Sequence, residues 1–306
     1  MSGAGAAEQR TAIDVFAASL MILLTFSWGL NQVAIKLSTA GYSPIFLTIV
    51  RSSIAAVLVY GWCRYRAIPL FARDGTLGAG LLAGAMFGGE FALIFLGLDL
   101  TTAARATLMI NTMPFWVLLG GHFLLGERMT RLKLVGVVLA FLGVALVLSD
   151  ELSLPDPAAL RGDLMCLAAG VLWAGTILVV KGSRLVAAPA EKTLLYQLVV
   201  SAVVTLPLLP LGGPVLREVS ALATGALLFQ AVYVVAFTYV LFFWLMRVYP
   251  ASGLSSFAFL TPAFGVLGGG LILGEPLSLR IFLALGLIAA GLLLVNTPAR
   301  RRVPPG

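Results

Sequence analysis

Charge is scarce in this chain. Only 11% of its 306 residues are Asp, Glu, Lys or Arg, where a soluble domain carries about a quarter. Metal and redox ligands are scarcer still: histidine occurs once, at His122, and cysteine twice, at Cys63 and Cys166. Two distant cysteines form no CxxC pair, and a histidine with no second His or Cys nearby forms no zinc site. The cysteines are expected as small packing residues and His122 as an interfacial one, with no metal and no cofactor. Walker A, GxGxxG, HExxH and GxSxG patterns do not occur. Little chain remains outside apolar runs, which excludes a soluble catalytic or nucleic-acid-binding domain.

What is abundant is apolar sequence, 60% of residues, with mean hydropathy +1.04. The runs are long and do not alternate as membrane strands do, so the expected class is an all-α integral membrane protein. Ten transmembrane helices are expected, at 13–37, 44–63, 76–98, 102–125, 132–149, 163–182, 191–211, 219–246, 250–273 and 279–296. The opening MSGAGAAEQRTAID lacks a basic n-region and precedes a run too long for a typical signal peptide, so the first run reads as a retained helix. The net charge of +7 is one-sided: with the N-terminus inside, inner segments hold 14 Lys and Arg, among them Arg64, Arg128, Lys181 and Arg300, against 5 outside. The positive-inside rule then puts both termini in the cytoplasm. The longest outer connection, DELSLPDPAALRGD, is acidic and divides the chain into 1–152, a linker at 153–162, and 163–306.

The two parts repeat. FALIFLGLDLTTAARATLMINTMPFWVLLGGHFLLGER, from Phe91, aligns without gaps on YVLFFWLMRVYPASGLSSFAFLTPAFGVLGGGLILGEP, from Tyr239. This pairs Ala104 with Ser252, Pro114 with Pro262, Gly126 with Gly274 and Glu127 with Glu275. The first helices share a W-x7-K pattern, Trp28 to Lys36 and Trp173 to Lys181. A repeat with an odd number of spans inserts its second copy upside down, the plan of many secondary transporters. With SWGLNQVAIK, LWAGTILVVK, the helix-four prolines and the LGER and LGEP turns, the chain resembles the drug/metabolite transporter superfamily, EamA type, most of all the YddG-like aromatic amino acid exporters. The resemblance implies two inverted five-helix repeats, with four helices of each around a central cavity and the fifth to the side. The glycines of the fifth helices, Gly136, Gly143, Gly286 and Gly291, suit close helix contact, within one protomer or at a dimer face.

Intramembrane charge is the sharpest clue, because an ionised group at mid-bilayer costs at least about 2.5 kcal/mol. Glu90 lies about 12 Å and Arg51 about 10 Å below the outer helix ends at 1.5 Å per residue. Similar depth permits either a structural pair or a cavity wall that meets a substrate ammonium or a proton. The second clue is aromatic: Phe229, Tyr233 and Phe237 recur at spacing four, with Gln230 beside them. They are read either as a lipid-facing stripe or as cavity lining with Phe87, Phe91, Phe257 and Phe259. Further polar candidates are Asn31 and Gln32 near Trp28, Asn111 and Thr112 before Pro114, Thr176 near Trp173, and Ser255 and Ser256 before Pro262. Proline frees a helical carbonyl and favours a kink at these places. Trp28 and Trp173, at symmetry-related depths, are expected as outer and inner constrictions.

These features point to a multi-pass, bacterial-type inner-membrane secondary transporter and not an enzyme. The expected activity is export of amino acids, aromatic and other neutral ones, by alternating access. Export of nucleosides, drugs or other hydrophobic metabolites is the alternative, and an integral membrane enzyme acting on lipid is the alternative of another class. The expected partners are a small-molecule substrate and the bilayer, with no nucleic acid. Coupling is open between protons acting through Glu90 and a facilitator driven by the solute gradient alone, and a monomer or weak dimer completes the expectation.

Overall fold

A computed structural model describes residues 10, 12–98, 100–149, 157–273 and 279–297. The LGEP turn at Gly274 and Glu275, the start of the 153–162 linker, and Arg300, Arg301 and Arg302 lie outside them. The described chain is helical, with thirteen α-helices: α1 Val15–Thr39, α2 Pro44–Tyr65, α3 Leu77–Leu98, α4 Ala103–Ile110, α5 Met113–Leu125, α6 Arg131–Val147, α7 Pro157–Gly182, α8 Ala190–Thr205, α9 Ala221–Leu228, α10 Tyr239–Val248, α11 Ala251–Ser256, α12 Leu260–Gly268 and α13 Arg280–Asn296. Short polar side chains start many of them. Asp14, Ser43, Thr102, Thr130 and Ser220 each accept a first-turn backbone N–H, satisfying donors that a helix start leaves orphaned.

Among the described residues, eight helical stretches are long and apolar enough to cross a membrane. The fourth joins α4 to α5, the seventh α9 to α10, and the eighth α11 to α12. The ten expected spans thus become eight stretches of membrane-spanning length and two shorter helices of 17 residues each, α6 and α13. Large apolar side chains on the outside, such as Val15, Phe16 and Leu293 at 83%, 58% and 72% exposure, would be an anomaly in water and are the natural face toward lipid.

The fourth and eighth stretches break close to Pro114 and Pro262. α4 ends at Ile110, just before Pro114, and α11 passes through a 3-10 turn at Phe257–Phe259 before Pro262, because proline cannot donate to the preceding turn. The displaced carbonyl of Ile110 lies against α7 at Gly170, where a Cβ would come within 2.9 Å of it. A second departure is the wider, i→i+5 turn of Phe229–Thr238, between α9 and α10. Such π-helical turns are rare and concentrate at functional sites.

The parts interleave. α3 packs on α7 and α8, α1 on α9 and α12, α5 on α7, and α2 on α8 and on the π-helical segment. α6 and α13 pack chiefly on each other within the one chain. Their crossing is close enough that a Cβ on Gly136 would sit 2.6 Å from the Gly291 carbonyl oxygen, and one on Gly291 would sit 2.5 Å from that of Gly136. A crossing this tight needs small residues on both helices.

Candidate functional site

Three helices of the first part each turn one stripe inward at helical spacing. α1 presents Trp28, Asn31, Gln32, Ile35 and Thr39; α2 presents Leu47, Thr48 and Arg51; α3 presents Phe87, Glu90, Phe91, Ile94 and Leu98. Trp173, Thr176 and Ile177 of α7, Gln197 of α8, Gln230, Tyr239, Phe242 and Phe243 close the opposite wall. Together they enclose a cavity of about 390 Å³, a size typical of small-molecule sites. Its lining runs out to Thr39, Pro44 and Leu98, so its mouth faces the ends where α1 gives way to α2 and where α3 finishes.

Charge and hydrogen-bonding capacity inside this cavity are left unspent. Arg51 and Glu90 are each only 5% exposed, and no ion pair joins them. The Arg51 guanidinium instead lies 4.6 Å from the centre of the Phe91 ring, a cation–π arrangement. Arg51 Nε, Glu90 Oε2, Asn31 Oδ1, Thr261 Oγ1 and both amide atoms of Gln197 are buried without a hydrogen-bond partner. Every one belongs to a residue lining this cavity. Native interiors satisfy nearly all such atoms, so six on the residues around one cavity mark its wall as a place where partners from outside the chain are wanted.

Other lining residues are held in place by bonds of their own. Trp28 Nε1 donates to Thr238 Oγ1 at 2.9 Å, and its ring meets Tyr239 and Phe242 edge-on. Trp28 and Trp173 thus line the same cavity from its two opposite walls. Gln230 donates from Nε2 to Ser38 Oγ at 2.8 Å and to the Ala34 and Ala226 carbonyls, so its amide ties the π-helical segment to α1.

Several expected residues stand off the cavity. Phe229, Tyr233 and Phe237 stack in series on the outside, with centroids 5.3 and 6.0 Å apart, and Phe237 is 56% exposed. This is the lipid-facing reading of that stripe; the Tyr233 hydroxyl finds its partner in Ser27 at 2.9 Å. Asn111, Thr112 and Ser256 spend their side chains on the helix breaks, bonding the carbonyls of Thr107, Met109 and Gly253. Ser255 bonds the Ser252 carbonyl. Phe259, fully buried, packs on Phe115 and Phe141 in the core, and Phe257 is likewise a core side chain.

Sequence reasoning passed over Gln197, Thr261, Tyr239, Phe242 and Phe243. Gln197 carried a readable signal: Thr193, Gln197, Ser201 and Thr205 repeat at spacing four in α8, and all are buried.

The face opposite the mouth is shut by a different set of contacts, all on the turn from α10 to α11. Lys181 Nζ donates to the Met246 and Tyr249 carbonyls, and the Tyr249 hydroxyl donates to Asp14 at 2.9 Å. Gly126 adopts φ +70°, turning the chain so that the Glu127 carboxylate accepts the N–H of Ala251 at 2.7 Å, the N–H of Ser252 at 3.2 Å and the Ser252 hydroxyl. Lys133 donates to that hydroxyl at 3.2 Å. His122 lies at the same edge, its Nδ1 3.1 Å from the Glu127 carbonyl.

Comparison with known proteins agrees with this architecture. The model of the EamA-like transporter family matches twice, over residues 15–149 and 160–297. "Uncharacterized transporter YoaV" of Bacillus subtilis (strain 168) is 26% identical over 92% of this chain and 98% of its own length. "Probable amino-acid metabolite efflux pump" of Salmonella typhimurium is 27% identical over 89% of this chain and 92% of its own. A solved crystal structure superposes with a TM-score of 0.80 at 20% identity, covering 94% of this chain and 99% of its own, which shows a shared fold.

Proposed function

The chain belongs to the EamA-like transporter family, and from that premise we propose that it exports neutral amino acids, aromatic ones included, from the cytoplasm by alternating access. The observation that carries this reading is the convergence of unpartnered buried donors and acceptors on one aromatic-walled cavity. A zwitterion with an apolar side chain supplies what they lack. Its carboxylate is matched by Arg51, its ammonium by Glu90 and Asn31, and its side chain by Trp28, Phe87 and Phe242. Burying a charged group without a partner is costly, so both ends of the solute gain by meeting their counterparts there.

Alternating access draws support from the contact pattern. If α1, α2 and α3 exchange with α7, α8 and the α9–α10 stretch, and α5 with α12, the α2–α8 contact maps onto itself and three further contacts between the parts find counterparts. The α3–α7 contact answers α1–α9, α5–α7 answers α1–α12, and α3–α8 answers the contact of α2 with the π-helical segment. This favours ten spans related by a two-fold axis in the membrane plane, with the cavity on that axis. With both termini cytoplasmic, the mouth faces outward and the shut face inward, in an inner membrane. Glu90 is then the group through which protons would couple to transport.

Counterflow of radiolabelled L-phenylalanine in liposomes containing the purified protein tests the reading, with L-threonine, uridine and a cationic dye as competitors. Saturable exchange inhibited by threonine is expected. Flux of uridine without phenylalanine exchange would favour the nucleoside reading, for which the unspent amide donor and acceptor of Gln197 would read a base edge.

A further inference from the structure

On the shut face lies a second cavity, of about 790 Å³, between the lead-in to α1, the α5–α6 turn, the end of α7, α11 and the end of α13. Arg10, Arg128, Lys133 and Lys181 line it, and Glu127 is the one carboxylate among its described lining residues. Both Glu127 oxygens are already committed to Ala251 and Ser252. Lys181 has given two donors to carbonyls and Lys133 one to Ser252, while Arg10 engages Asp14 and Tyr249. Arg128 is exposed and has no partner among the described residues. Basic residues collect on one side of any membrane protein, but that rule does not gather four of them around a single hollow where the one carboxylate among the described lining residues is spent. Like charges so arranged repel at short range unless an anion enters between them.

We propose that this cavity binds a phosphate-bearing anion, with Arg128 and Lys133 as its principal ligands and the remaining donors of Lys181 and Arg10 completing the site. An anionic phospholipid headgroup and a soluble phosphate share this chemistry. The rim carries Leu124, itself a lining residue at 72% exposure, next to Phe123 at 75%; this apolar edge gives an acyl chain a place to lie and favours the lipid source. Basic pockets between membrane helices are a known mode of headgroup binding. Because Arg128 and Lys133 belong to the first repeat and Lys181 to the second, a bound anion bridges the two and holds this face shut.

The purified full chain in neutral detergent tests the proposal through its melting temperature, read by tryptophan fluorescence. Phosphatidylglycerol is titrated against phosphatidylcholine, and inorganic phosphate against chloride at constant ionic strength. A saturable rise with phosphatidylglycerol alone assigns the site to lipid, and a rise with inorganic phosphate assigns it to a soluble anion. In the Arg128→Gln, Lys133→Gln double variant the apparent affinity should fall about tenfold or more. Arg128→Gln alone, which removes no contact within the protein, should fall in the same direction and carries the test if the double variant does not fold. No rise with either anion, or equal rises in wild type and variants, would overturn the proposal.

Discussion

The central cavity and the shut face around Met246–Ser252 both carry buried polar groups, yet they treat their hydrogen bonds in opposite ways. In the cavity, six buried polar atoms go unpartnered, although each such atom costs about 1–3 kcal/mol. At the shut face, Glu127, Lys133, Lys181 and Tyr249 all find partners within the chain. Groups that await a guest are held in reserve, whereas contacts that hold a face closed are spent; on the shut face only the basic hollow beside those contacts, with Arg128 exposed, keeps donors over. The difference makes opposite demands of substitutions in the central cavity and among the Glu127 contacts.

Arg51→Met should show the largest effect and the clearest separation. Removing one member of a buried recognition pair costs about 2–5 kcal/mol of binding, so the transport kcat/KM should fall by roughly 30-fold or more. Stability should hold or rise, because a buried charge without an ion-pair partner is replaced by an apolar side chain of similar reach. Glu90→Gln should lower flux while flattening its pH dependence. Proteoliposome flux set beside thermal melting of the same preparations checks both. A fall in melting temperature in proportion to the lost flux would make Arg51 a structural residue and erase the contrast.

Glu127→Gln should act in the opposite sense. Hydrogen bonds to a charged group contribute about 1.5–3 kcal/mol, so losing the carboxylate should shift the population toward the form with this face open by roughly tenfold or more. Substrate affinity in the cavity itself should change little. A cysteine placed at the buried Ser256 and probed with a membrane-impermeant thiol reagent reports the opening, since Cys63 and Cys166 are themselves buried. Labelling at the wild-type rate would show that the Glu127 contacts do not hold the face closed.

How much of this could be read from sequence depended on what each signal costs the protein. Glu90 and Arg51 were legible because charge within a membrane is expensive, and both line the cavity. The helix breaks near Pro114 and Pro262 were legible because proline's missing N–H acts locally. The aromatic run FQAVYVVAFTYVLFFW was legible only in part. Phe229, Tyr233 and Phe237 do share one face, as their spacing implies, but spacing does not say where that face points, and it lies away from the cavity with Phe237 exposed. The cavity is met instead by Tyr239, Phe242 and Phe243. Asn111, Thr112 and Ser256 were selected for their nearness to prolines, yet those breaks consume the side chains they seemed to offer. Thr261 gave no signal of its own, since a single hydroxyl beside a proline looks the same whether it faces a cavity or a neighbouring helix.

Tyr233→Phe sharpens the boundary of the site. It deletes only the hydroxyl bonded to Ser27, outside the cavity, so a cost of about 1 kcal/mol in stability is expected with KM unchanged. A raised KM would return the outer aromatic stripe to the site.

The smallest effect should come from Asp74, an ion pair remote from both regions. Its carboxylate meets Lys192 Nζ at 2.8 Å and the Thr76 hydroxyl at 2.6 Å, and the bond from Lys192 first, then that from Thr76, holds its pKa well below the usual carboxylate range. A depressed folded-state pKa stabilises the fold above the ordinary carboxylate value, and that contribution is lost only as the pH falls toward the depressed one. Between neutral pH and pH 5 the contribution should therefore be flat. Asp74→Asn should lower the melting temperature slightly and by the same amount throughout that window, with flux unchanged, because the carboxylate is partly exposed and solvent screens its pairing. Melting curves of both proteins at pH 5 and pH 7 give the answer. A difference that grows toward neutral pH would mean that Asp74 is still titrating there, and that the Lys192 contact does not hold it ionised.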